Sequence, residues 1–200
     1  MFSQNQNKND IVLSKKLSYL LRHGAMKEGL NIKPNGFVVV DELLSKLHHY
    51  TIDDIKRVVE NNNKQRFTLD TFNGILEIKA NQGHSIPKIS ELTLKVLDSA
   101  EFDVIHGTYF KYWTTIKADG LSRMKRNHIH FAKGLYFING LRQNAELFIY
   151  INFEKAKKDG LIFLESENGV ILCAGNLKGF IETKYFSKVI TKYGQALNFN

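Results

Sequence analysis

The chain is poor in cysteine and proline, with one Cys (Cys173) and two Pro among 200 residues. A lone cysteine excludes an internal disulfide framework and a zinc site built on several thiolates, and it fits a reducing compartment. No apolar run approaches the ~20 residues that a membrane-spanning helix needs, and the opening MFSQNQNKND has no apolar signal core. The expected location is therefore the cytoplasm, or the nucleus in a eukaryote, with no membrane partner. Neither a P-loop nor a G-x-G-x-x-G fingerprint is present, and no pair of carboxylates stands out for glycoside chemistry. Acidic residues are the minority as well, with 20 Asp and Glu against 28 Lys and Arg and a net charge of +8. That balance favours polyanionic partners, because each neutralised phosphate releases condensed counterions.

What is present reads as an ordinary globular chain, 43% apolar and 24% charged. In LSKKLSYLLRHGAMKEGL, Leu13, Leu17, Leu20 and Leu21 recur at helical spacing and form one apolar face. The stretch then breaks at Arg22-His23-Gly24, where Gly24 is a candidate C-terminal cap. GFVVVDELLSKLHHY predicts a strand at Phe37 to Val40 and then a helix capped by Asp41. TIDDIKRVVENNN places Thr51 and Asp54 at capping-box spacing, with Ile52, Ile55, Val58 and Val59 as the buried stripe. RFTLDTFNGILEIK alternates around Asn73-Gly74, a strong hairpin signal. Helices followed by a two-stranded ribbon predict a winged-helix-like module over residues 1–85.

The proline-bearing, aperiodic NQGHSIPKIS marks a boundary, and residues 86–200 read as a mostly β region with a helix or two. DVIHGTYF predicts a strand ending in a turn, and YFKYWTTIKADG a helix stopped by Gly120. HIHF, GLYFIN, AELFIYINF, GLIFLE and GVILCAG predict strands, and KYFSKVI a last strand or short helix. The fold class is α+β.

Several residues could carry chemistry. Arg22 falls on the face of Ser14 and Ser18, off the leucine stripe. Taken alone, Arg22-His23 reads best as compensation of the helix dipole, worth ~0.3–1 kcal/mol; the alternative is a guanidinium fork for phosphate beside a titratable imidazole. Arg66 heads a strand, where an arginine is usually a solvated charge. His106-Gly107-Thr108 ends a strand, either as a plain turn or as a place where backbone N–H groups meet a ligand. Arg126, His128 and His130 would share one face of a strand. Two histidines at that spacing could bind a metal, but no Cys or acidic residue nearby completes a shell, so an anionic ligand suits them better and no metal is expected.

Six segments together resemble the NAD-dependent RNA 2′-phosphotransferase family: LSKKLSYLLRHGAMKEGL, NGFVVVDELL, KQRFTL, IKANQGHSI, VIHGTYFKYWTTIKADGLSRMKRNHIHFA and SENGVILCAG, collinear along nearly the whole chain. The resemblance implies a winged-helix-like RNA-binding lobe (1–85) and an NAD-binding lobe of ADP-ribosyltransferase fold (86–200). It implies removal of an internal RNA 2′-phosphate, as at a tRNA splice junction, in two steps. The phosphate attacks the nicotinamide ribose of NAD and nicotinamide leaves. The 2″-hydroxyl then attacks phosphorus, giving RNA with a free 2′-hydroxyl and ADP-ribose 1″,2″-cyclic phosphate. The rival is an ADP-ribosyltransferase of nucleic-acid ends or protein that stops after the first step. The family's catalytic set falls on Arg22, His23, Arg66 and Arg126. His106, Gly107 and Thr108 match its HGT for NAD, with His130 and His128 toward the nicotinamide. NAD is a co-substrate, the RNA partner is tRNA-like, and a monomer is expected. Lys79 stands where many members have arginine and stays outside the set. Gln82, His84 and Ser85 either line the site or cap a linker.

Overall fold

The protein is described from a computed structural model covering residues 2–199. It divides into two compact units, residues 1–93 and 94–200.

In the first unit the leucine stripe does what its spacing predicts: Leu13, Leu17 and Leu21 of the opening helix are fully buried, and Leu20 nearly so. Truncating such a leucine costs about 2–5 kcal/mol in transfer and cavity terms. The helix is longer than the leucines mark. It runs as α1, Phe2–Tyr19, and continues into a π-helical turn, Leu20–Gly24. Gly24 is therefore not a left-handed cap, since Ala25 beyond it keeps a right-handed helical backbone. A side chain at 24 is excluded instead by Tyr19, whose ring carbon Cε1 would lie 2.6 Å from a Cβ there.

Two short elements follow, β1 (Val38–Val39) and α2 (Val40–Leu44). The strand is shorter than expected and Asp41 is not the cap. Val39 occupies the cap position without a side-chain bond, and Asp41 lies in the first turn. For α3 (Ile52–Glu60) the capping box forms as its spacing predicts, with Thr51 and Asp54 bonded reciprocally. The helix buries Ile55 and Val58, whereas Ile52 stays exposed. The hairpin β2 (Phe67–Phe72) and β3 (Ile75–Ala80) turns at Asn73 and Gly74, whose φ values of 52° and 79° are those a tight hairpin needs. The order β1-β3-β2 gives a three-stranded antiparallel sheet against the helical core.

The second unit is built on a seven-stranded antiparallel sheet. Its strands are β4 (Leu94–Val96), β5 (Val104–Thr108), β7 (Ile129–Lys133), β8 (Leu147–Ile151), β9 (Phe163–Ser166), β10 (Ile171–Cys173) and β12 (Phe186–Thr191). Their spatial order is β12-β8-β5-β7-β10-β9-β4. A separate pair joins β6 (Leu121–Ser122) to β11 (Phe180–Ile181). Helix α4 (Trp113–Asp119) stops at Gly120, φ 90°, as expected. Phe131 and Phe163 anchor the core.

Three strand expectations fail. GLYFIN forms no strand, because left-handed Gly134 and Gly140 bracket it and leave Tyr136 and Ile138 exposed. AELFIYINF ends its strand at Ile151, where Asn152 caps a short helix, α5 (Phe153–Lys158), by accepting from the Lys155 N–H at 3.0 Å. Arg126 and His128 precede β7 rather than lying on it with His130.

Candidate active site

Arg22 and His23 leave α1 in the π turn, a feature that often marks functional positions. A single segment, 81–85, meets them. The Ser85 N–H donates to the Arg22 carbonyl at 2.9 Å, and the Ser85 hydroxyl lies 2.8 Å from His23 Nδ1. Gly83, φ 91°, packs on the Arg22 side chain; a Cβ there would lie 3.4 Å from Arg22 Cδ and Nε. Arg22 is half-buried and His23 is exposed.

The same segment holds Arg66. Asn81 is buried, its N–H donates to the Arg66 carbonyl at 2.9 Å, and its Nδ2 donates to the Gln65 carbonyl at 2.8 Å. The Thr68 hydroxyl in turn donates to Asn81 Oδ1 at 2.8 Å. These bonds fix a turn in which Gln65 takes the left-handed region, φ 43°. The Arg66 guanidinium donates to the neutral Asn62 Oδ1 at 3.2 Å. Burial lowers its pKa, and burial together with the Arg66 charge lowers that of neighbouring Lys64. An arginine so placed keeps its charge, and that charge is poorly hydrated. Lys79, buried, reaches over the Phe37 ring at 5.0 Å and toward Thr93 Oγ1 at 3.4 Å.

In the second unit His106, Gly107 and Thr108 form the end of β5, between β7 and β8. His106 Nδ1 bonds the His130 carbonyl at 2.9 Å, so the neutral ring donates there and keeps the Nε2 lone pair. Burial first, then the charges of Arg142 and Arg126, lower its pKa, and the ring is neutral at pH 7. Gly107 has a packing reason for lacking a side chain, since a Cβ would lie 2.9 Å from Leu141 Cδ2 and 3.1 Å from Ala145 Cβ. Thr108 is buried. His130 is paired in β7, while half-buried His128 has its pKa lowered by burial and then by Arg123.

Arg126 sits in a turn braced by another arginine. Its N–H donates to the Arg123 carbonyl at 3.0 Å, and Arg123 Nη1 donates to the Arg126 carbonyl at 2.7 Å. Gly179, φ 81°, lies so close to Arg123 that a Cβ would stand 2.6 Å from its Nε. Burial and then repulsion from Arg142 lower the Arg126 pKa. Arg142, which sequence reasoning missed, stacks on Tyr109 with its guanidinium carbon 5.5 Å from the ring centroid. No spacing in GLRQNAE marks it, because a loop brings it there. Among the described residues no group of three or more His, Cys, Asp or Glu could hold a metal ion, and no helix is long and apolar enough to cross a membrane.

Each unit thus concentrates guanidinium and imidazole groups, which suits a transferase acting on phosphorylated substrates. Sequence comparison gives the particular class. The description "RNA 2′-phosphotransferase, Tpt1/KptA family" matches residues 8–175, and the chain belongs to that family. The tRNA 2′-phosphotransferase 1 of Danio rerio is 43% identical over 198 residues, covering 93% of this chain and 88% of the relative. Its namesake from Mus musculus is 44% identical over 197 residues, covering 92% and 78%. The tRNA 2′-phosphotransferase of Saccharomyces cerevisiae is 40% identical over 162 residues, covering 74% and 70%. The chain is an enzyme of the RNA 2′-phosphotransferase class.

Proposed function

We propose that this enzyme removes an internal 2′-phosphate from RNA, with spliced tRNA as the natural substrate, by transferring the phosphate to NAD. One observation carries the residue assignment: among the described residues, no carboxylate pairs with Arg66, which is partly buried, or with Arg126, which is exposed. Guanidinium groups left in that state favour an anionic substrate over solvent.

In this reading the first unit is a winged-helix-like lobe that takes RNA, and the second unit is an ADP-ribosyltransferase-like lobe that takes NAD; the protein acts as a monomer. Bound NAD supplies an activated ribose carbon with a neutral leaving group, and then a hydroxyl to receive the phosphate. The 2′-phosphate is already an anion, so its attack needs placement rather than a general base. Arg22, Arg66 and Arg126 place it and offset the charge that builds on the oxygens around phosphorus. His23 moves the proton between the attacking hydroxyl and the departing RNA oxygen. His106 and Thr108 hold NAD, with Gly107 between them; His106, neutral and donating from Nδ1 to the His130 carbonyl, offers Nε2 as acceptor to a ribose hydroxyl. His130 and His128 flank the nicotinamide end, and the charge of Arg142 adds to that of Arg126.

The test is incubation with NAD and a short RNA bearing an internal 2′-phosphate, with products identified by mass. The expected products are dephosphorylated RNA, nicotinamide and ADP-ribose 1″,2″-cyclic phosphate. Stable ADP-ribosylated RNA as the end product would assign the chain to one-step ADP-ribosyl transfer instead.

A further inference from the structure

Three of the four proposed catalytic residues, Arg22, His23 and Arg66, depend on one five-residue stretch, Asn81–Ser85, that itself carries none of them. Asn81 spends its backbone N–H and its side-chain amide on the two carbonyls of Gln65-Arg66. Ser85 spends its backbone N–H on the Arg22 carbonyl, and its hydroxyl meets the His23 ring. Between them Gly83 lies along the Arg22 stem.

We infer that Asn81–Ser85 is a positioning element for the reaction, in which Ser85 orients the His23 imidazole and Asn81 fixes the turn that presents Arg66. The inference rests on the function proposed above. Hydroxyl chemistry explains why serine suits position 85. A carboxylate against Nδ1 would hold a proton there and place a second negative charge beside a phosphate site. A hydroxyl can donate to Nδ1 when the ring is neutral and accept from it when the ring is an imidazolium. Ser85 can therefore follow His23 through both halves of a proton transfer without changing the charge of the site. For Asn81, both faces of the amide are used: Nδ2 donates to Gln65 and Oδ1 accepts from Thr68. An aspartate of the same shape would lose the donor.

The test compares Ser85→Ala, Ser85→Thr, Asn81→Asp and the wild-type enzyme on a 2′-phosphorylated RNA with NAD. Misplacing a catalytic group by about 1 Å costs on the order of 100-fold, so Ser85→Ala should lower kcat by roughly 10- to 100-fold and leave the KM for NAD within about twofold. Ser85→Thr, which keeps the hydroxyl, should recover most of that loss, and Asn81→Asp should fall in the range of Ser85→Ala. Wild-type kcat in Ser85→Ala, or a Thr variant as slow as the Ala variant, would overturn the role of the hydroxyl. Wild-type kcat in Asn81→Asp would overturn that of the amide. Imidazole ¹⁵N spectra separate this inference from the proposed function, because the balance of His23 tautomers should change in Ser85→Ala whatever reaction the enzyme performs. If wild-type protein leaves the 2′-phosphate in place, the functional proposal fails and the spectra still decide the positioning: an unchanged His23 signal in Ser85→Ala contradicts it.

Discussion

Arg57 and Arg66 belong to the same unit and have opposite surroundings. Arg57 reaches two carboxylates, Asp10 at 2.8 Å and Asp54 at 2.6 Å, and these bonds raise its pKa above the usual arginine value. Arg66 has one neutral partner, Asn62, and burial lowers its pKa. In the second unit Arg126 likewise has no carboxylate partner among the described residues; Arg123 braces it through its backbone carbonyl, and Arg142 repels it. The difference separates two uses of one side chain. A guanidinium already neutralised by the fold ties elements together. One without a carboxylate partner keeps its charge, which the function proposed above assigns to a substrate anion, at some cost to the stability of the empty protein.

Substitutions can break this contrast. The largest effect is expected at Arg126. Losing a guanidinium that offsets charge around phosphorus should cost at least about 100-fold in turnover, with the second step slowed most, so that ADP-ribosylated RNA accumulates in thin-layer separations of labelled substrate. If product formation slows with no such species, Arg126 acts in binding alone. A smaller effect is expected from Gly179→Ala. The left-handed backbone there, φ 81°, makes the change cost about 1–2 kcal/mol. The new Cβ would also push Arg123 away from the carbonyl of Arg126. Urea titration should show the stability loss, and turnover should drop by roughly tenfold; unchanged turnover would mean that the Arg123 brace does not set the position of Arg126.

The smallest effect sharpens the other side of the comparison. The Thr51 N–H first, and then Arg57, hold the Asp54 carboxyl below its ordinary value of 3.8. Because the folded-state pKa is the lower one, this stabilisation is present above that value and is lost as pH falls through the folded pKa. Asp54→Asn should therefore be less stable than wild type at pH 7 by about 0.5 kcal/mol, and the gap should narrow as pH falls below 3.8, read from melting curves. A deficit that persists in acid would mean that packing, not the ion pair, carries the effect.

Much of this was legible in the sequence wherever a local rule decides the outcome. The Thr51–Asp54 box, the Asn73-Gly74 hairpin and the stop at Gly120 follow from side-chain and backbone chemistry within a few residues. The leucine stripe gave the face of α1 but not its start, because polar residues before Ile11 carry no periodicity. GLYFIN and the head of HIHF misled, since β-prone composition cannot show that glycines at 134 and 140, or the turn at Arg123–Arg126, take the chain out of the sheet. For the site, Arg22-His23 alone favoured an idle helix end; collinear motifs made those residues candidates. Their supports, Asn81 and Ser85 on one side and Arg123 and Gly179 on the other, depend on tertiary contacts that no spacing encodes. Arg142 was invisible for the same reason.

The most direct measurement sets Arg66→Ala beside Arg57→Ala and follows release of the 2′-phosphate from RNA in the presence of NAD. Arg66→Ala should lose on the order of 100-fold or more in rate while keeping its melting temperature, whereas Arg57→Ala should turn over like wild type and lose about 1 kcal/mol of stability. Equal rates in the two variants would contradict the assignment of Arg66 to the reaction and of Arg57 to the fold.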